Sequence, residues 1–131
     1  LRFADTSFWV ALQVPRDAHH GEARQIWSRN PGVVLVTNHV LGEGWTYLRR
    51  RAGHGAAVRF LEALQNSNRV QHLHVDQQVE KEAWLWLKRR GEREYSFVDA
   101  TSFVVMRKKK VREALAFDGD FSAAGFVEVR A

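Results

Sequence analysis

Val33-Val34-Leu35-Val36 is a continuous apolar run rich in β-branched residues, the pattern of a strand buried on both faces. It restricts the chain to folds that cover a sheet from two sides. Leu1 to Ala4 is a second short, mostly apolar stretch, and it ends in Asp5. Val70 to Val75 alternates less cleanly and suits an edge strand. Further strands are expected in the second half of Val111–Phe117 and at Phe126–Val129.

Helical spacing fills the intervals. Phe8, Ala11 and Leu12 predict a short helix, and His20, Ala23, Ile26 and Trp27 predict a second with Asp17 as its cap. Thr37 or Asn38 caps a third helix, which runs to about Arg51 with Val40, Leu41, Trp45 and Leu48 on its apolar side. Gly42 and Gly44 flank Glu43 within it, and bare backbone there makes room for something. Ala57, Phe60, Leu61 and Leu64 mark a fourth helix, and Val79, Ala83, Trp86 and Leu87 a fifth, capped by Asp76. A sixth starts near Val98 and runs to about Lys108.

Strands thus alternate with helices and no hairpin signal joins neighbouring strands. The expectation is an α/β fold, a single domain over residues 1–131, with a mainly parallel sheet and helices on both faces. With 45% apolar residues and two prolines the composition is globular. No run approaches the roughly 18 apolar residues of a membrane span. The first residues lack the basic-then-apolar layout of a signal peptide, and there is no cysteine for disulfides or thiolate metal sites. A cytoplasmic protein is expected. Twenty basic against fifteen acidic residues give a net charge of +5, which suits an anionic partner, nucleic acid first, and equally suits simple solubility.

Ligands of an open parallel sheet bind beyond the carboxyl ends of its strands. Asp5 and Asp118 each follow an expected strand, and Glu43 and Asp99 each lie in the opening turns of a helix. In a wound α/β fold these positions share one edge. Converging carboxylates repel one another unless a cation holds them, and an all-oxygen donor set fits Mg²⁺ or Mn²⁺. Carboxylate-held Mg²⁺ commonly serves phosphate chemistry. Taken singly, each acid has an ordinary alternative. Asp5 can cap its helix, Glu43 can be a solvated side chain, Asp99 can complement the helix dipole, and Asp118-Gly119 can be a turn with Asp120 exposed beside it.

The order Phe3-Ala4-Asp5-Thr6-Ser7, then Glu43 after Thr37-Asn38-His39-Val40-Leu41-Gly42, then Ser96-Phe97-Val98-Asp99-Ala100, then Phe117-Asp118-Gly119-Asp120-Phe121 resembles the PIN domain. It is most similar to the VapC-type toxin ribonucleases of bacterial toxin–antitoxin pairs. Asp17-Ala18-His19-His20-Gly21-Glu22-Ala23 resembles the family's second helix. The resemblance implies a Rossmann-like α/β/α sandwich and Mg²⁺- or Mn²⁺-dependent endoribonuclease activity, with water attacking the phosphate in line to leave 5′-phosphate and 3′-hydroxyl ends. It also implies a homodimer, and a cognate antitoxin whose C-terminal segment fills the active-site groove. Asp5, Glu43, Asp99 and Asp118 fall on the family's acidic quartet. Thr6 or Ser7 would contact metal-bound water, and Ser96 falls on the serine preceding the third acid. The family often has Thr two residues before the fourth acid, where this chain has Ala116.

The basic clusters Arg49-Arg50-Arg51, Lys88-Arg89-Arg90 and Arg107-Lys108-Lys109-Lys110 sit at expected helix ends, where cations suit the dipole, and they are expected to point away from the acidic edge. The tryptophans, at 9, 27, 45, 84 and 86, mostly fall on apolar helix faces, which predicts packing. The six histidines form no zinc spacing. Two other classes stay open beside the nuclease: a non-catalytic PIN-like module that binds RNA or protein, and a phosphatase with Asp5 as nucleophile.

Overall fold

In the computed structural model, which covers residues 1–131, five parallel strands lie in one sheet. They are β1 (Arg2–Ala4), β2 (Val34–Thr37), β3 (Val70–Leu73), β4 (Glu113–Leu115) and β5 (Val127–Glu128), in the spatial order β3-β2-β1-β4-β5. Seven helices connect them: α1 (Thr6–Gln13), α2 (His20–Arg29), α3 (Asn38–Arg51), α4 (His54–Asn66), α5 (Gln77–Lys88), α6 (Phe97–Lys109) and α7 (Asp120–Ala123). The short α7 has no sequence pattern of its own.

The β-branched run marks β2, buried along its whole length. Val33 is the exception, since it is 39% exposed and precedes the strand. Neighbouring strands shield β2 on both sides: β1 on one, in register Arg2 with Val34, and β3 on the other, in register Val34 with Val70. The weaker alternation of β3 is that of an edge strand, as expected. His72 uses its Nε2 on the Leu64 carbonyl at 3.0 Å.

Right-handed crossovers place α1 to α4 on one face and α5 to α7 on the other. The contacts agree, as α1 packs on α2 and α3, α3 on α4, and α5 and α7 on α6. Phe3, Phe8, Trp9, Phe60, Phe103 and Phe121 are among the largest side chains fully buried between these layers. No helix is long and apolar enough to cross a membrane.

Two local readings change. Asp17 does not cap α2, because its Oδ1 accepts the His19 amide at 2.8 Å in the preceding turn and His19 itself stands at the cap without a side-chain bond. Gly44 makes room for a core ring and not for a ligand. A Cβ there would lie 2.6 Å from Cζ of Phe60, whose side chain is fully buried.

Candidate active site

The chain leaves β1 toward β2 on one side and returns from β3 to place β4 on the other side of β1. The carboxyl ends of β1 and β4 therefore flank the point where the winding reverses, where open α/β sheets bind ligands. Ala4 pairs with Leu115, and the Asp5 amide donates to the Leu115 carbonyl at 3.0 Å. This register carries the next residues of both strands, Asp5 and the Phe117-Asp118 segment, to one spot.

Asp5 is the N-cap of α1 and is 2% exposed. Its Oδ2 accepts from the Ser7 amide at 3.2 Å and from the Ser7 hydroxyl at 2.8 Å. Its Oδ1 is buried with no hydrogen-bond partner. Burial first, then the charge of Asp118, holds the Asp5 carboxyl well above the usual carboxylate range, against the pull of the Ser7 hydrogen bonds. Ser7 Oγ also accepts the Phe117 amide at 3.0 Å, so one hydroxyl ties both strand ends together. Ala116, only 1% exposed, has no side-chain polar group to offer here, and Ser7 supplies the hydroxyl that orients Asp5.

Asp99 arrives from the opposite face of the sheet. Ser96 caps α6 by accepting the Asp99 amide, while Asp99 Oδ2 accepts the Ser96 amide, both at 3.0 Å. This reciprocal capping box fixes the carboxylate at the mouth of an apolar helix. Asp99 is 6% exposed, and burial, with the charges of Asp120 and Asp118, pushes its pKa up to about 7 although the Ser96 hydrogen bonds oppose the shift.

Asp118 stands at the exposed mouth of the cluster. Its pKa is raised by desolvation against the walls and by the charges of Asp120 and Glu128, and is lowered in part by the Asp120 amide, which donates to Oδ1 at 3.1 Å. Gly119 turns the chain here with φ +82°, which favours glycine. Glu128, on β5, locks that turn by accepting the Gly119 amide at 3.3 Å and the Ser122 amide at 3.0 Å.

The sequence left Asp120 open, as an exposed neighbour of the turn or a carboxylate sharing the part of Asp118. The Asp120 side chain is only 19% exposed, and one carboxylate oxygen each of Asp99, Asp118 and Asp120 lie within 4.8 Å of one another. Arg93 accompanies them, donating from Nε to Asp120 Oδ1 at 2.7 Å and from Nη2 to the Asp118 carbonyl at 3.1 Å. Nothing in Gly91-Glu92-Arg93-Glu94 signals that role, because the contact exists only once residues 93 and 120 meet across the fold.

Glu43 lies on α3 and not in this tight group. It shares with Asp5 and Asp118 the lining of an open cavity of about 440 Å³, within the ~300–1,000 Å³ of small-ligand sites. Thr6 and Ser7 form part of its wall, with Tyr47 on α3. The Phe117 ring, stacked on His19 with centroids 4.5 Å apart and planes 3° apart, lines it as well. The structure thus brings Asp5, Asp99 and Asp118 together, adds Asp120, and sets Glu43 on the α3 wall of the adjoining cavity.

The donor set is all oxygen, three acids are held at raised pKa by burial and mutual repulsion, and the buried Asp5 Oδ1 has no protein donor. A hard divalent cation fits these residues.

Residues 2–127 match the PIN domain family. A protein of Mycobacterium tuberculosis named 23S rRNA-specific endonuclease VapC20 is 60% identical over 128 residues, covering 98% of this chain and 97% of the relative. A VapC ribonuclease of Archaeoglobus fulgidus is 30% identical, covering 90% of this chain and 77% of its own length. The crystal structure of M. tuberculosis VapC20, described as a sarcin–ricin loop cleaving toxin, superposes with a TM-score of 0.96 at 58% identity over 100% of both chains. With the acids on the edge that the fold reserves for ligands and the match running almost end to end, the chain belongs to the PIN domain family, and within it to the VapC type.

Proposed function

We infer that this chain is an endoribonuclease, the toxin of a toxin–antitoxin pair, that hydrolyses RNA phosphodiester bonds with Asp5, Glu43, Asp99 and Asp118 holding Mg²⁺ or Mn²⁺. One observation carries the reading: Asp5, Asp99 and Asp118 converge from three elements while Asp5 Oδ1, buried, is left without a partner. Such an ion, when bound, activates a water and stabilises the leaving oxygen of an in-line displacement.

The protein groups do the positioning. Ser7 fixes Asp5 through Oδ2 and leaves Oδ1 for a ligand. The capping box spends Asp99 Oδ2 on the Ser96 amide and leaves Oδ1 without a protein hydrogen bond. Glu128 holds the Gly119 turn and with it Asp118. Arg93 neutralises Asp120 at the rim. Glu43 approaches from α3, so a phosphate in the cavity meets carboxylate ligands from two sides.

The 60% identical relative is named for 23S rRNA, and its solved structure for the sarcin–ricin loop. Ribosomal RNA is therefore the first substrate to test, which implies action in the cytoplasm. A cognate antitoxin and a homodimer complete the proposal. Purified protein with Mn²⁺ should cut ribosomal RNA at a discrete site mapped by primer extension, leaving a 5′-phosphate. EDTA or Asp99→Asn should stop the reaction, and equal cleavage by the Asn variant would overturn the mechanism.

A further inference from the structure

Beyond Glu43, one stripe of α3 has no part in the site described so far. Glu43, Thr46, Tyr47, Arg50 and Arg51 recur at i, i+3, i+4, i+7 and i+8, the spacing of a single helix face. The opposite stripe, Val40, Gly44 and Leu48, is the buried one. Helical patterns of this kind usually mark a core face, yet here the residues are an acid, two polar or aromatic groups and two cations.

Together with Gly42 and Val98 they line a second open cavity of about 550 Å³. Glu43 and Tyr47 line both this cavity and the acidic one, so the two adjoin along α3. Arg50 and Arg51 lie in the last turn of α3, as expected, but on the face that lines this cavity. The stripe runs down α3 from the acidic end, eight residues at a ~1.5 Å rise, or roughly 12 Å.

The helix dipole accounts for cations at the C-terminal end of α3. It does not account for their facing a cavity that begins at Glu43. Neither Arg50 nor Arg51 joins an ion pair, the paired cations being Arg2, His39, Arg90, Arg93, Lys108 and Arg130. The Arg51 guanidinium lies 5.0 Å from the centroid of the Tyr47 ring, and that ring remains 38% exposed. A strand of RNA entering a carboxylate cluster is repelled by it and needs compensating cations alongside. Two free arginines at the end of this stripe can neutralise two phosphates of such a strand.

We propose that this face of α3 is the track on which RNA leaves the acidic cluster, Tyr47 stacking a base next to the scissile bond and Arg50 and Arg51 binding the phosphates beyond it. The proposal rests on the ribonuclease reading for its substrate class, and binding tests it separately from cleavage. Tyr47 is a stacking group with tolerance for any base. The arginines act through charge and forked donors.

The test measures binding of a fluorescein-labelled single-stranded RNA by the Asp99→Asn protein at several salt concentrations, and KM and kcat for ribosomal RNA in the wild-type background. Arg50→Ala/Arg51→Ala should weaken binding about tenfold and reduce the slope of log affinity against log salt by roughly 1.4, two phosphates at ~0.7 each for single strands. KM should rise with kcat little changed. Tyr47→Leu should weaken binding about fivefold or more, whereas Tyr47→Phe retains it. Lys109→Ala/Lys110→Ala, a charge-matched change at the far end of α6, should leave the slope as it is.

An unchanged slope in the arginine variant, or an equal loss in the lysine control, overturns the track. A change confined to oligomeric state by light scattering, with RNA affinity intact, also overturns it. Binding that depends on Arg50 and Arg51 in a protein that cuts no RNA would support the track while refuting the nuclease. No RNA binding at all would refute both.

Discussion

The β1–α1 and β3–α5 junctions share a local grammar and differ in fate. Each runs from a strand into a helix capped by an aspartate, Asp5 on α1 and Asp76 on α5. Asp76 is exposed and accepts the Val79 amide at 2.9 Å, which accounts for it fully. Asp5 also caps, yet it is buried and carries an orphan oxygen and a raised pKa. The difference lies in the strands beneath. β3 is at the sheet edge, whereas β1 lies between β2 and β4, whose own loop delivers Asp118. An N-capping aspartate becomes a candidate ligand when the next strand brings a second carboxylate.

The largest test of that contrast is activity. Asp5→Asn should lower RNA cleavage by at least about 10²-fold, the scale of losing a group on which the reaction depends, while Asp76→Ala leaves kcat within twofold. Comparable losses in both variants, measured on ribosomal RNA with Mn²⁺, would erase the distinction.

Stability against pH comes next. Asp99 titrates near pH 7 in the folded protein and near ~3.9 when unfolded, so between these values the folded state binds more protons. In EDTA the contribution is most favourable below the unfolded value and is lost as pH rises through about 7, by an amount on the order of a few kcal/mol. The melting temperature in EDTA should therefore fall from pH 5.5 to 8.5. Mn²⁺ should restore it, and Asp99→Asn should make the fall shallower, with Asp5 and Asp118 accounting for what remains. Asp76→Ala should keep the wild-type slope, and a wild-type protein whose Tm does not fall would contradict the buried cluster.

Ser7→Ala removes the donor to Asp5 and the acceptor of the Phe117 amide. It should destabilise the protein by about 1–2 kcal/mol in urea and shift the pH dependence of cleavage upward, since the Ser7 hydrogen bonds lower the Asp5 pKa. A loss of stability with an unmoved pH profile would make Ser7 a tie between strands only. Smallest is the cap itself. Asp76→Ala should cost about 1 kcal/mol, in the usual range for losing an N-cap, visible as a lower urea midpoint.

Much of this was legible in the residues. The β-branched run at Val34 to Val36, the weaker alternation from Val70 and the absence of hairpin signals suffice for a parallel sheet, because burial on one or two faces writes itself into hydrophobic period. Asp99 was legible as an acid in the first turn of its helix, and the structure adds the Ser96 capping box within that turn. The contacts of Asp120, Arg93 and the α3 stripe were not legible. Their meaning depends on partners distant in sequence: Asp99 for Asp120, Asp120 for Arg93, and the shared cavity for Arg50 and Arg51. Gly44 makes room as expected, but for what was hidden for the same reason, its neighbour Phe60 being on the next helix.

The sequence by itself determined the element types, the caps of α1, α3 and α5 and the strand-to-helix junctions that hold acids, because these follow from interactions within a few residues. Only the tertiary structure decided which junctions became neighbours. Strand order placed β4 beside β1 and left β3 at the edge, and with that order came the burial and mutual repulsion that separate Asp5 from Asp76.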